Sequence, residues 1–196
     1  MKRNDDWLVE NELETDQVFD EVWVATSDTR LSQERASEIF ESHSVYVTVA
    51  GELRVDGHLA VEEASYLECG DVHCVSFWMG EGVVDVQTIH AELYVELACW
   101  PSDMYESHIN KIVTPLLLTP SEDLDGLCNE IEAEFVMNKV EESGKLFPWI
   151  LLDNPGEIVA ALRDGVNIDE AWLIAHKHLV TDETRKKYVE EKYGTY

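Results

Sequence analysis

The residues best suited to bind a transition metal lie near the middle of the chain. Cys69, His73 and Cys74 place two thiols and an imidazole close together, and His58 lies upstream. Thiolate and imidazole groups hold zinc, but structural zinc sites usually use closely spaced cysteine pairs, with a second pair downstream. Cys74 instead lies in an alternating apolar run, which places its side chain in a core. We therefore predict no metal site and no cofactor.

Motifs for nucleophilic catalysis and for nucleotide binding are missing from the sequence. It contains no Gly-x-Ser-x-Gly turn and no glycine-rich phosphate loop. Carboxylate pairs for glycoside cleavage or metal-assisted hydrolysis stay open, because 41 Asp and Glu residues offer many such pairs. We expect the protein not to be an enzyme. A metal-assisted hydrolase that uses clustered carboxylates is an alternative.

Four carboxylates alternate with other residues near the N-terminus, at Glu10, Glu12, Glu14 and Asp16. On a β-strand they would share one face at intervals of about 6.6 Å, close to the spacing of successive phosphates along a nucleic-acid strand. On a helix only Glu10 and Glu14 would come together, and a solvated acidic arm is the plainer interpretation. We take the four as candidate partner-binding residues.

A second acidic segment follows Thr119 and Pro120, which begin a capping-box pattern. We predict a helix over 120–142. Its acids occupy spacings at which like charges destabilise a helix, and those at its C-terminal end oppose the helix dipole. This pattern indicates a negative surface retained at some cost in stability. The candidate partner-binding residues here are Glu122, Asp123, Asp125, Glu130, Glu134 and Glu141.

The whole chain has a formal net charge of −27, although 45% of its residues are hydrophobic. The apolar residues suffice for a core, so the acids must coat a folded body that repels itself. Such a surface is repelled by nucleic-acid phosphates and by anionic lipid, so we expect neither direct nucleic-acid binding nor membrane binding. It is attracted to a basic protein, above all to the basic groove of a DNA- or RNA-binding enzyme.

These observations favour a DNA mimic that inhibits a nucleic-acid-binding defence enzyme, of the anti-restriction or anti-CRISPR type. An acidic inhibitor or immunity protein for a basic toxin would use the same charge for fast and specific association. Adaptation to high salt would explain the acids without any partner. Trp7, Tyr94 and Tyr105 are candidate exposed aromatic anchors. A homodimer, which would extend the acidic surface, is an alternative to a monomer.

The sequence also indicates a reducing compartment. Residues 1–6 are polar and contain no apolar signal-peptide core, and Cys69, Cys74, Cys99 and Cys128 have no disulfide-framework spacing. No apolar run approaches the ~20 residues that span a bilayer. We therefore expect a cytoplasmic protein with free thiols.

The period of the apolar residues changes along the chain. Up to about residue 100 they alternate as on strands, the Gly80-Glu81-Gly82 turn resembles a hairpin, and Tyr94 and Glu96 fall on an outward face. We predict an α+β fold, with a mostly antiparallel sheet in the N-terminal half and helices in the C-terminal half. An acidic β-rich region, 1–100, would precede a helical region, 101–196, and the two could pack as a single domain.

Local signals also predict several helices. Ser32 is a candidate N-cap for a helix that carries Arg35 and Glu38 on its exposed face. Asn154 and Pro155 open another helix, which Gly165 ends. Two more are expected at 168–178 and 181–193. No internal repeat is evident.

Overall fold

Ten strands and two helices make up the described part of the computed structural model, which comprises residues 1–4, 19–40, 44–62, 64–98, 106–119, 127–138 and 155–166. The strands are β1 Lys2–Arg3, β2 Glu21–Ala25, β3 Thr29–Ser32, β4 Val45–Val49, β5 Leu53–Asp56, β6 His58–Val61, β7 Tyr66–Met79, β8 Val83–Leu97, β9 His108–Thr119 and β10 Cys128–Asn138. The helices are α1 Gln33–Phe40 and α2 Pro155–Arg163. By internal contacts the chain divides into two compact units, Met1–Trp149 and Ile150–Tyr196.

The chain winds in successive turns, here called coils, and the long strands of neighbouring coils pair in parallel. Tyr66 of β7 lies opposite Val83 of β8, and β8 pairs in the same sense with β9, as β9 does with β10. Strands β4, β5 and β6 pair with successive parts of β7, so the three together form one coil that stacks on the coil of β7. Parallel neighbours need a connection of at least about a dozen residues, which the rest of each coil supplies. The arrangement is β-solenoid-like.

The predicted α+β fold with a mostly antiparallel sheet is therefore wrong. Among the described strands, only β1 and β2 pair antiparallel. The error arises at Gly80-Glu81-Gly82, which leads the chain into the next coil instead of reversing it. Val83 N donates a hydrogen bond to Ser65 O at 2.8 Å, in the preceding coil. Gly82 permits this close approach, because a Cβ there would lie 2.5 Å from the carbonyl oxygen of Glu62.

The predicted helices of the C-terminal half are wrong over the described part of 120–142. There the chain forms β10, which pairs in parallel with β9 and places Cys128 opposite Ile109. The alternating polar and apolar residues of β10 match the period of a strand. The rest of that segment and the predicted helices 168–178 and 181–193 lie outside the described residues.

Inward-facing apolar side chains form stacks that run from coil to coil. One stack contains Leu53, Val72, Ile89 and Ile112, each 0% exposed. Full burial of such a side chain contributes roughly 1.5–3 kcal/mol. The stack continues to Ile131, which is 39% exposed. The greater exposure of Ile131 reflects its place on β10, which among the described strands pairs only with β9.

Strand β8 departs from the predicted alternation in its second half. Its register with β9 shifts between His90 and Tyr94, and all four residues from Tyr94 to Leu97 are buried. Alternation of exposure holds only where one face of a sheet meets water, and here neither face does. Tyr94 and Glu96, each 0% exposed, are therefore not outward-facing, and Tyr94 is not an exposed anchor.

Helix α1 confirms the local signals that predict it. Arg35 N donates to the capping hydroxyl of Ser32 at 3.3 Å, and Arg35 forms an ion pair with Glu38 at 2.5 Å on the exposed face. Ile39 and Phe40 are buried on the other face, and the helix packs against β3, β5 and β6. Both its start and its exposed face follow from the sequence.

Helix α2, in the second unit, ends at the predicted glycine. Gly165 has a φ of +84°, which favours glycine because it has no Cβ. Gly165 N donates to Leu162 O and Val166 N to Ala161 O, both at 3.0 Å, and this pair of bonds is a Schellman motif. Neither α1 nor α2, the helices within the described ranges, is long and apolar enough to cross a membrane.

Candidate functional site

Only two of the predicted partner-binding carboxylates, Glu130 and Glu134, fall within the described residues. Both lie on strand β10 rather than on a helix. The others lie outside the described residues, as do two of the three candidate aromatic anchors: Glu10, Glu12, Glu14, Asp16, Glu122, Asp123, Asp125, Glu141, Trp7 and Tyr105. The distance between the two predicted acidic segments therefore lies outside what the structure describes.

Glu130, Glu132 and Glu134 form a row of exposed carboxylates on β10, which we call the β10 row. Neighbours in this row are about 6.6 Å apart along the strand, so Glu130 and Glu134 are not the close pair that a helix would make. Lys111 Nζ of β9 lies 2.9 Å from Glu130 Oε1 and 2.6 Å from Glu132 Oε1. Hydrogen bonds to Glu132 and Glu130 raise the pKa of Lys111, so its ammonium reduces the repulsion within the row.

A second polar group lies where β5, β7 and β8 stack. His73 of β7 lies opposite His90 of β8, and their rings are parallel within 11° with centroids 4.4 Å apart. The ligand atoms of Asp71, His73 and His90 all lie within 4.8 Å of one another. Glu52 Oε2, just before β5, is 3.6 Å from His73 Nε2. We call Glu52, Asp71, His73 and His90 the histidine cluster.

The fold holds the histidine cluster in place through the strand ladder and one ion pair. Parallel register stacks His73 on His90, since neighbouring strands are about 4.8 Å apart. Arg54 Nε and Nη2 donate to Glu52 Oε1 at 3.0 and 2.5 Å, which leaves Glu52 Oε2 directed to His73. Asp71, His73 and His90 are each half-buried, so the cluster is partly accessible to solvent.

Burial is the main cause that lowers the pKa of His90, and the neighbouring His73 lowers it further. Lys111 acts in the same direction, whereas Asp71 and Glu52 oppose it. The pKa of His90 in the folded protein thus lies below its ordinary value of 6.5. The unfolded chain then binds this proton more readily, so the protein is most stable above about pH 6.5 and loses stability as the pH falls from there to the lower pKa of His90 in the folded state.

We predict that two substitutions move the pKa of His90 in opposite directions. His73→Gln removes the neighbouring imidazole and should raise the pKa of His90, whereas Asp71→Asn removes a favourable carboxylate and should lower it further. The measurement is an NMR titration of the His90 ring in the presence of a chelator, compared with the same titration of the unsubstituted protein. Shifts of the same sign in both variants would contradict the stacked arrangement.

Tyr46 and Glu68 form a polar contact between β4 and β7. Tyr46 OH donates to Glu68 Oε2 at 2.6 Å, and the Tyr46 ring stacks on that of Tyr66 at 4.8 Å. Burial, followed by the bond to Glu68, raises the pKa of Tyr46 far above its ordinary value, and burial also raises the pKa of Tyr66. Both phenols stay protonated at neutral pH, so they contribute packing rather than acid–base chemistry.

The cysteines that suggest zinc chemistry in the sequence lie in the core. Cys69, Cys74 and Cys128 are free and buried. Burial raises the pKa of the Cys69 thiol to about 12, which keeps it protonated and poorly reactive. Among the described residues, the side chains close enough to share one ion with His73 are those of Asp71 and His90, and no cysteine is among them. The thiols and His73 therefore do not form a common metal site.

A serine and a histidine also meet, at Ser76 and His58. His58 Nδ1 contacts Ser76 Oγ, as a base contacts a nucleophile in serine hydrolases. Ser76 is only 1% exposed, so a substrate cannot reach its hydroxyl. The contact is structural.

Sequence reasoning misses the histidine cluster because its members are far apart in the chain. One signal could have revealed it, namely a weak repeat between residues 68–74 and 85–91. Val72 and Ile89 are similar, and His73 and His90 are identical and pair in the ladder. Self-similarity at a fixed period is the signature of stacked repeats, but a single identical residue per coil is easily overlooked.

No protein-family model matches this chain, and neither a curated protein nor a solved structure matches it. Its function therefore has to be inferred from the chemistry of its own residues.

Proposed function

We propose that this protein is an acidic inhibitor that binds a basic, nucleic-acid-handling protein and occupies the surface that nucleic acid would contact. The observation that carries the proposal is the β10 row, three exposed carboxylates on a strand that pairs in register with β9. Their interval of about 6.6 Å is close to that of phosphates along a nucleic-acid strand. A row of this kind supplies both charge and spacing.

The distribution of basic residues supports the same function. The described arginines of the first unit all form ion pairs within the chain, namely Arg3 with Glu21, Arg30 with Asp56, Arg35 with Glu38 and Arg54 with Glu52. Lys111 is likewise engaged by the β10 row. Since these cations are occupied and the chain has a net charge of −27, a partner meets mainly carboxylates. Such a field accelerates association with a basic protein.

The test begins with affinity capture by the tagged full-length protein, followed by binding measurements with the purified partner. We expect a basic, nucleic-acid-binding protein whose affinity falls at least about tenfold between about 50 and 200 mM salt, because exposed charges are screened. Duplex DNA or RNA should compete with the acidic protein for this partner. Binding that is insensitive to salt would overturn the proposal.

Matched charge variants locate the contact. Glu130→Gln with Glu134→Gln should weaken binding, whereas Glu81→Gln with Glu92→Gln removes the same charge from exposed positions elsewhere and should have little effect. Lys111→Gln should strengthen binding, because it removes the cation that neutralises part of the β10 row. Equal losses in the two double variants would show that net charge, rather than this row, drives association.

Competition separates mimicry from the immunity-protein alternative. A basic toxin without a nucleic-acid site would remain bound in excess duplex DNA or RNA, and that result would favour the alternative. Thermal unfolding from low to multimolar KCl is the control for salt adaptation, since a halophilic protein would melt when salt is removed. The proposal assigns the interaction to the cytoplasm, in keeping with the free thiols of Cys69, Cys74 and Cys128.

A further inference from the structure

The structure assigns a divalent transition-metal site to Asp71, His73 and His90, with Glu52 as the carboxylate that orients His73. This inference goes beyond the proposed function and does not depend on it. Two imidazoles and a carboxylate form a ligand set typical of Zn²⁺ and of neighbouring transition metals. Ca²⁺ and Mg²⁺ prefer oxygen ligands. The chemistry therefore favours Zn²⁺ over the hard cations.

The distances within the cluster suit one ion after a small side-chain movement. Ligand atoms of Asp71, His73 and His90 already lie within 4.8 Å of one another, whereas donors around a tetrahedral Zn²⁺ are about 3.4 Å apart, given bonds of about 2.0–2.1 Å. A metal ion also lies in the plane of each imidazole that binds it. Because the two rings are now stacked, one must turn about χ2, a torsion with broad minima. The backbone pairing of β7 with β8 can keep its register while the ring turns.

The charge of the neighbouring carboxylates and the orientation of Glu52 also favour metal binding at the histidine cluster. Asp71 and Glu52 place two carboxylates beside the imidazoles, and Arg54 holds one oxygen of Glu52 so that the other faces His73. Histidine ligands usually donate their second ring N–H to such a carboxylate, which fixes the tautomer and strengthens the ligand. Glu52 Oε2 lies 3.6 Å from His73 Nε2, just beyond hydrogen-bond distance, and a small shift would let it accept that N–H. Glu52 then acts as a positioning residue, while Asp71, His73 and His90 contact the ion.

The half-buried position of the cluster determines the kind of site. Three protein ligands leave at least one coordination position of Zn²⁺ open, and the cluster is partly accessible to solvent, so water completes the coordination. The ligands come from β7 and β8, and the ion therefore ties two successive coils together. Binding to the folded state alone raises thermal stability in proportion to the logarithm of metal concentration.

The first test is titration of the metal-free full-length protein with ZnCl₂ in a large excess of MgCl₂, which occupies non-specific acidic sites. We expect one Zn²⁺ per chain and an increase in Tm. His90→Gln and Asp71→Asn should each weaken Zn²⁺ binding by at least about 100-fold, and Glu52→Gln by about 10- to 100-fold. His108→Gln, which removes an exposed imidazole from β9, is the matched control and should bind like the wild type.

A second measurement separates this site from the thiols and from misfolding. Co²⁺ should broaden the NMR signals of the His73 and His90 rings but not that of His58, and its absorbance should lack a thiolate charge-transfer band. Each variant should keep the wild-type circular dichroism and metal-free Tm. The assignment is overturned if the double variant His73→Gln/His90→Gln binds Zn²⁺ as tightly as the wild type, or if Mg²⁺ displaces the ion.

Discussion

Ile89→Asp is expected to prevent stable folding of the solenoid. Ile89 is 0% exposed and lies in the inner stack between Val72 and Ile112, which are also fully buried. An ionised carboxylate there has no polar partner, and burying such a charge is several times more unfavourable than losing an apolar contact. A domain of this kind is stable by only about 5–15 kcal/mol. Circular dichroism and thermal unfolding should show loss of the cooperative transition.

Gln87→Asp is the matched control for this substitution. Gln87 precedes Ile89 by two residues on the same strand, but it is exposed. The same added charge should therefore change stability by about 0.5 kcal/mol or less. If both variants unfold alike, added negative charge on an already acidic chain is the cause. If neither does, the stack of Leu53, Val72, Ile89 and Ile112 is not the core.

The elements that sequence reasoning predicts correctly carry their signals locally. The hydroxyl of Ser32 caps α1 through Arg35 N, and Gly165 ends α2 because its φ is positive. Alternating apolar residues likewise predict strands before residue 100, where β1 to β8 lie. Each of these features depends on contacts within a few residues, so the sequence alone suffices to find them.

The direction of strand pairing is not a local property, and here prediction fails. Parallel and antiparallel strands share the same period of two, so the alternation of β7 and β8 is compatible with both. The glycines at 80–82 favour a hairpin by local rules, yet Val83 pairs with Tyr66, a full coil earlier. Only long-range register distinguishes the two arrangements.

The candidate sites show the same limit. The sequence identifies Glu130 and Glu134 as acidic surface residues, but the helix predicted to carry them is wrong. By local rules, the capping signals near Pro120 favour a helix more strongly than the alternation of polar and apolar residues over 128–136 favours a strand. The pairing of His73 with His90 depends entirely on the offset between coils. Residue types could be identified from the sequence, whereas the distances between them could not.

Asn110→Cys combined with Asn129→Cys is expected to form a disulfide almost completely under mild oxidation. Asn129 Nδ2 donates to Asn110 Oδ1 at 3.3 Å, both side chains are exposed, and their strands β9 and β10 are parallel neighbours. Neighbouring strands are about 4.8 Å apart, within the Cα separation of about 4.4–6.8 Å that disulfides tolerate. Closing this loop should also stabilise the fold by up to about 3 kcal/mol. Peptide mapping by mass spectrometry detects the bond.

Asn110→Cys combined with Glu132→Cys is the control pair. Glu132 lies opposite Val113, about 10 Å along the strands from Asn110, so this pair should stay reduced under the same conditions. The unmodified chain controls for the native thiols, of which Cys128 is adjacent. Equal cross-linking of both pairs, or of neither, would contradict parallel register between β9 and β10. The β10 row and its contact with Lys111 require that register, so the same result would remove the structural basis of the proposed function.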